Sequence, residues 1–315
     1  MVYTVTLNPA IDYILKMKEF KKGEINICEE KTMLPGGKGI NVSIVLKELG
    51  MDSVALGLIA GFVGEQIEKK VKKYGVSTDF IKMDNIESRI NIKILTENQE
   101  TAINCIGQKV SEKDIEKLYE KIEKIGNNLE CDWLVLSGSV PKGVKETIYE
   151  DICKMLKGKN VKIIVDTTQK FLLNTLKYKP FLIKPNKQEL EEIFEIKIKS
   201  KDEVIKYAKV LKEKGAQNVL VSLGKDGAIL IDENDEIYKM DSLSKGKCIN
   251  TVGAGDSVIA GFIAGYQKYE NYKEALKLGM MAGAATTNSM YLATKEEIYT
   301  YGKGDEIVNE NNRFA

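Results

Sequence analysis

The run Asn250-Thr251-Val252-Gly253-Ala254-Gly255-Asp256-Ser257, continuing into Val258-Ile259-Ala260-Gly261-Phe262-Ile263, holds the residues best suited to chemistry. A Gly-Ala-Gly turn opening a helix exposes free backbone N–H groups at the positive end of the helix dipole. Such a site attracts an oxyanion, and above all a phosphoryl group in transfer. An Asp in the first helical turn faces the same space and can take a proton from a hydroxyl nucleophile. Gly253, Ala254, Gly255 and Asp256 are therefore the candidate catalytic set, a nest for the moving charge beside a base that orients the attacking oxygen. A bare Gly-x-Gly-Asp is also an ordinary helix start, with a carboxylate that only stabilises the N-terminus. The whole run, closing in small residues that let the helix pack tightly, favours the chemical reading.

Composition narrows who else can take part. There is no histidine, so imidazole acid–base chemistry and His-ligated zinc are excluded, and protons must move through Asp, Glu, Lys, Tyr or Cys. Only two of the 47 basic residues are arginines, Arg89 and Arg313. In a chain that uses lysine almost everywhere, an internal arginine suggests bidentate recognition of a phosphate or carboxylate. Asp12, just after the first strand, is either a ligand for hydroxyls or a solvated loop residue. Gly36-Gly37-Lys38-Gly39 lets a backbone approach a ligand, although a simple turn is the default reading of such a run. Asn186 and Glu189 have the spacing of a helix-capping pair.

The elements that must position these residues alternate. A strand over Val2 to Leu7 is followed by a polar, irregular stretch and then by a helix carrying Val42, Val45, Leu46 and Leu49 on one face and stopped by Gly50. Ser53 to Ile59 reads as a buried strand and Ile67 to Tyr74 as a short helix. Residues 79–107 lack a helical period; Phe80 to Met83, Ile90 to Leu95 and Thr101 to Ile106 read as strands, with Glu97-Asn98-Gln99-Glu100 as a hairpin turn. From residue 111 onward, helices (111–125, 144–156, 169–176, 187–214, 254–269, 272–289) alternate with short apolar strands at 133–136, 161–165, 181–183 and 219–221. The expected fold is one α/β domain, a doubly wound and mostly parallel sheet with helices on both faces, plus a small β-sheet built from insertions at about 12–33 and 79–107.

These segments carry a family resemblance. Asn250 to Ile263 resembles the C-terminal signature of the ribokinase-like sugar kinases, and Gly36-Gly37-Lys38-Gly39-Ile40-Asn41-Val42-Ser43 resembles the N-terminal one. Thr6 to Asp12, Ser88-Arg89-Ile90-Asn91-Ile92-Lys93, Leu136 to Pro141, Ile183 to Leu190 and Val221 to Gly224 fall in the family's order, so the likeness spans essentially the whole chain. The set is most similar to the branch that phosphorylates sugar phosphates. The resemblance implies ATP-dependent phosphorylation of fructose 1-phosphate at O6, with tagatose 6-phosphate as the rival substrate. It implies that Asp12, Gly37, Gly39, Asn41 and Ser137 hold the sugar, and that Lys38 and Arg89 clamp its phosphate. By the same likeness Lys184 neutralises ATP phosphates, Asn186 and Glu189 organise Mg2+ through water, and Ser222, Gly224 and Gly227 make room for the nucleotide with Gly255. It further implies that the small sheet is a lid over the sugar and pairs with a second copy as a homodimer.

The remaining readings bound the class. Net charge is +1, which argues against nucleic-acid or membrane-surface partners, and the lysine-rich stretches 111–125 and 201–214 read as solvated helix faces. The five scattered cysteines, without a Cys-x-x-Cys pair, and the lack of a signal-like N-terminus suggest a cytoplasmic protein. A nicotinamide dehydrogenase is discounted because no Gly-x-Gly-x-x-Gly follows an early strand. A sugar-phosphate sensor without catalysis is the alternative of another class, disfavoured by a base and a metal-site pair that a pure binder does not need.

Overall fold

The structure is a computed structural model that describes residues 1–97, 99–127, 131–244 and 248–302, and the backbone of 308–309. The chain begins β1 (Val2–Thr6), β2 (Ala10–Lys16), β3 (Glu30–Gly36), α1 (Lys38–Glu48), β4 (Ser53–Ala60) and α2 (Gly61–Lys73). Next come β5 (Ser77–Thr78), β6 (Ile81–Met83), β7 (Arg89–Leu95), β8 (Glu100–Ile103) and α3 (Glu112–Gly126). The alternating part holds β9 (Trp133–Ser137), α4 (Ile148–Met155), β10 (Lys162–Asp166), α5 (Gln169–Thr175), β11 (Leu182–Ile183), α6 (Lys187–Phe194) and α7 (Lys201–Glu213). It closes with β12 (Asn218–Ser222), β13 (Ala228–Ile231), β14 (Ile237–Met240), α8 (Ala254–Tyr269), α9 (Tyr272–Thr287), α10 (Lys295–Thr300) and β15 (Val308–Asn309).

The main sheet runs β15-β14-β13-β12-β11-β10-β9-β1-β4-β5, with β6 also paired to β4. It is parallel from β12 through to β5 and antiparallel beyond β12. Its strands are apolar on both faces because both are covered. Leu134 and Leu136 of β9 pack into a core shared with α3, α4 and α7, whereas Trp133 and Val135 pack into one shared with α1, α8 and α9. A second sheet, β3-β2-β7-β8, stands apart, with β2 and β7 parallel and its two edges antiparallel.

Helices α8 and α9 lie unusually close because small residues face each other. A Cβ on Gly261 would meet the Leu278 carbonyl oxygen at 2.4 Å, and one on Gly279 would meet the Val258 carbonyl oxygen at 2.8 Å. That contact fixes the first turn of α8, which carries Asp256.

Several elements differ from the sequence expectation. Helix α2 starts at Gly61, six residues before the expected position, because its cap comes from elsewhere in the chain. Glu87 accepts from Phe62 N at 3.0 Å and Val63 N at 3.1 Å, so no local cap residue betrays the start. The run Phe80 to Met83 does not join the small sheet; β6 pairs with β4 at the edge of the main one. The small sheet instead takes in Ala10 and Gly36, beyond the expected 12–33. Finally, the β13–β14 ribbon extends the sheet where the sequence reading left a gap. Asn98, at the centre of the expected hairpin turn, lies outside the described residues.

Candidate active site

Parallel strands β1, β9 and β10 end in register, with Thr6 beside Ser137 and Ser137 beside Asp166. The chain leaves these carboxyl ends at Gly138, Thr167 and, after β11, Lys184. A crevice outside such an edge is where open α/β sheets bind ligands. Here it is a cavity of about 610 Å³, roofed by the small sheet and lined by residues of both sheets and of the α8 N-terminus.

At one end lies the turn before α8. Gly253 adopts φ 80°, and the helix opens with Ser257 N donating to Gly253 O at 2.8 Å. The amides of Ala254, Gly255 and Asp256 thus precede the first helical bond and are free for an anion. Lys184 reinforces them, since a Cβ on Gly255 would lie 3.1 Å from its Nζ.

Asp256 is 6% exposed and accepts from Asn41 Nδ2 at 2.8 Å. Burial, and then the nearby charge of Asp166, push its carboxyl up to about 6, against the opposing pull of Lys38, Asn41 and Lys184. A carboxylate with that affinity for a proton suits a general base near neutrality.

Asp166 was not foreseen. It is 1% exposed, and each of its oxygens meets a different lysine: Oδ2 is 3.1 Å from Lys38 Nζ, and Oδ1 is 3.3 Å from Lys184 Nζ. Burial would raise its pKa, but Lys184 and Lys38 outweigh that and hold it below the usual range. Lys38 in turn loses charge stability by burial and regains more from Asp166, Asp256 and Glu189, so its pKa is raised. The available signal was an acid directly after the apolar run 161–165, at the same strand end as Gly138 and Lys184.

At the other end lie Asp12 on β2 and Arg89 on β7. Arg89 Nε donates to Asn8 O at 3.0 Å and its Nη1 to Cys105 O at 3.1 Å; neither bond uses Nη2, which remains for a ligand. Lys38 and Arg89 therefore answer to different carboxylates: Asp166 and Asp256 for the lysine, Asp12 for the arginine. Lys93, two positions beyond Asn91 on the same strand face, also lines the cavity and was not singled out from the sequence.

Asn186 and Glu189 form the capping box of α6. Asn186 Oδ1 accepts from Glu189 N, and Glu189 Oε2 accepts from Asn186 N, both at 2.8 Å. Both side chains nevertheless line the cavity, and Glu189 Oε1 is not used by the cap. Beyond them a second, more apolar cavity of about 400 Å³ shares Asn186, Ser222, Thr251 and Gly255 with the first. Gly224, Gly227 and Ala254 line it with Leu243, Val258, Met280 and Ala284, a setting for a flat, weakly polar ring.

Two expected site residues fall outside. Ser137 is fully buried and does not line the cavity; its carbonyl accepts from Tyr149 OH at 3.2 Å, and Gly138 and Ser139 reach the cavity instead. Strand alternation turned its side chain into the core. Gly39 is also buried, and a Cβ there would meet Thr6 Oγ1 at 2.7 Å, so it serves the packing of α1 on β1.

A buried carboxylate beside free helix-start amides, two lysines, a capped Asn-x-x-Glu pair and an adjoining apolar slot can together serve phosphoryl transfer to a hydroxyl. The comparisons agree. The pfkB family carbohydrate kinase profile matches residues 4–298. The chain is 42% identical over 286 residues to a 1-phosphofructokinase of Borreliella burgdorferi, covering 91% of each, and 36% identical over 290 residues to a D-tagatose-1-phosphate kinase of Bacillus licheniformis, covering 92% and 93%. The crystal structure of a putative phosphofructokinase from Staphylococcus aureus superposes with a TM-score of 0.84 at 37% identity, covering 98% of this chain and 99% of that one. The chain belongs to the pfkB family of carbohydrate kinases. It is a kinase whose phosphoryl donor, by family, is ATP.

Proposed function

We propose that the protein transfers the γ-phosphoryl group of MgATP to O6 of fructose 1-phosphate, giving fructose 1,6-bisphosphate. One observation carries the reading: a buried carboxylate with raised proton affinity, Asp256, shares one cavity with a guanidinium whose outer edge is unused, Arg89. A sugar phosphate spans that cavity with its phosphate on Arg89, its hydroxyls toward Asp12 and Asn41, and its terminal hydroxyl at Asp256. The higher identity to a 1-phosphofructokinase than to a D-tagatose-1-phosphate kinase favours the fructose configuration.

In this mechanism Asp256 takes the proton of the attacking hydroxyl, and Asn41 keeps the carboxylate aimed. The amides of Ala254, Gly255 and Asp256 stabilise the charge that spreads over the transferring group. Lys184 adds a full positive charge at the nest, and Asp166 holds it there with Lys38. In this pose Lys38, held against Asp166 beside Asp256, serves the transferring phosphoryl group, and Arg89 takes the substrate's own phosphate. Ser222, Gly224 and Gly227 border the slot for the nucleotide base.

Mg2+ fits this donor set. Glu189 has one carboxylate oxygen outside the cap, and among the described residues no three acidic or thiol side chains gather as a cage. A small hard cation that keeps most of its waters and takes phosphate oxygens suits such a site. Asn186 and Glu189 would hold it there, and it would offset the negative charge of the ATP phosphates.

The small sheet acts as a lid and as the contact for a second copy of the chain. Ile90, Ile103 and Ile106 are exposed on or beside its free edge, β8, which offers unpaired backbone to a partner strand. Five free thiols support action in a reducing compartment such as the cytoplasm, and no helix among the described residues is long and apolar enough to cross a membrane.

The deciding experiment is an initial-rate assay with MgATP against fructose 1-phosphate, tagatose 1-phosphate, tagatose 6-phosphate, fructose 6-phosphate and fructose. Fructose 1-phosphate should have the highest kcat/KM. A higher value for a tagatose phosphate would keep the mechanism and overturn the substrate.

A further inference from the structure

Asn91 has no part in the reaction described above, yet it is 7% exposed, lines the cavity and touches both of the groups that read the sugar phosphate. The parallel pairing of β2 and β7 puts Asp12 beside Asn91 and Ala10 beside Arg89. Asn91 Nδ2 donates to Asp12 Oδ1 at 2.7 Å. Its Oδ1 accepts from Cys105 N at 3.2 Å and from Arg89 Nη1 at 3.4 Å.

Only one orientation of the amide satisfies these partners, since the Asp12 carboxylate can only accept and the Cys105 amide and Arg89 guanidinium can only donate. Asp12 is confined from its other side as well. A Cβ on Gly36 would lie 2.7 Å from Asp12 Oδ2, so the carboxylate is held between that bare backbone and the Asn91 amide.

We infer that Asn91 is a positioning residue that couples Asp12 to Arg89, so that hydroxyl recognition and phosphate recognition depend on one side chain. The inference rests on the sugar-phosphate reading given above. A donor toward Asp12 and an acceptor toward Arg89 must sit on the same short side chain. Among residues of this size, asparagine supplies both without a charge. Aspartate keeps the acceptor toward Arg89 and Cys105 but sets a second carboxylate oxygen against Asp12, so the donor is lost and two like charges meet unless a proton is taken up. Serine is too short to span the two groups.

The test is calorimetric binding of the same sugar-phosphate panel to wild type, Asn91→Asp and Asn91→Ser between pH 5.5 and 8.5, with a non-hydrolysable ATP analogue titrated separately. Binding is used because loss of the Asp256 base at low pH then does not matter. The readout is the ratio of variant to wild-type Kd, which cancels titration of the ligand's own phosphate. For Asn91→Asp the ratio should be about 30-fold or more at pH 8.5 and shrink as pH falls, because a proton restores the donor toward Asp12. Asn91→Ser should lose affinity by about tenfold at every pH. The ATP analogue should bind all three proteins alike.

A ratio flat in pH for Asn91→Asp would overturn the inference while leaving the substrate reading intact, as would equal losses for sugar phosphate and nucleotide. A wild type that binds no member of the panel would overturn the substrate reading and the inference with it. If Asn91→Asp does not fold, Asn91→Ser decides through the split between sugar-phosphate and nucleotide affinity.

Discussion

The two ends of the cavity are built on different principles. At the transfer end, Asp166, Lys38, Lys184 and Asp256 balance one another; all but Lys38 are at least 94% buried, with Asp166 and Lys184 at strand ends of the main sheet and Lys38 and Asp256 in the first turns of α1 and α8. At the small-sheet end, Asp12, Asn91 and Arg89 are held by one amide and by backbone carbonyls, on a sheet whose edge strand is mostly exposed. The first end is complete before substrate arrives. Among the described residues the second keeps Arg89 Nη2 outside its hydrogen bonds and β8 without a further strand beside it, the features on which the proposed sugar phosphate and partner chain would complete it. Catalytic charge needs rigid preorganisation, whereas recognition benefits from a surface that can close.

The largest expected effect breaks the transfer end. Asp256→Asn should lower kcat by about 10²–10⁴-fold while binding of both substrates persists, read by steady-state kinetics and calorimetry. Asp166→Asn comes next. It leaves Lys184 buried without its partner, and urea denaturation should report a loss of about 3–5 kcal/mol. At the opposite end, Arg89→Lys keeps the charge but loses the planar fork. The KM for sugar phosphate should rise about tenfold or more, with that for MgATP unchanged.

The pH profile sharpens the contrast. Asp256 must be ionised to act, and its pKa is raised to about 6, so kcat/KM should fall tenfold per pH unit below that value. In Asp166→Asn a repelling charge is gone and two lysines are uncompensated. Both changes favour the Asp256 carboxylate, so the acid limb should move to lower pH. A limb that stays in place would remove Asp166 from the electrostatics of the base. The smallest effect is expected in the segment just before β7. Glu87→Ala removes the cap on α2 and should cost about 1 kcal/mol with little change in kcat.

How legible each end was follows from how local its signals are. The nest before α8 and the Asn186–Glu189 cap are built within a few residues, and both were readable. Arg89 stood out because the chain has so little arginine. Ser137 lies outside the cavity, because a motif says nothing about which way a strand side chain turns; one residue further along, the chain enters the cavity. Asp166 and Asn91 went unassigned because each joins a distant residue, Lys38 128 positions from Asp166 and Asp12 79 positions from Asn91. The early start of α2 was hidden for the same reason, its cap lying 24 and 25 positions downstream.

By itself the sequence determined the alternating α/β order, the absence of imidazole chemistry and the glycine-rich turn that carries Asp256, because periodicity, composition and a short turn are all local properties. Only the tertiary structure decided that one buried aspartate splits two lysines, that Lys38 lies against Asp166 rather than beside Arg89 and that one amide joins Asp12 to Arg89. Those pairings depend on strand register and on burial. Neither exists until distant segments pack and exclude the water that would otherwise screen the charges.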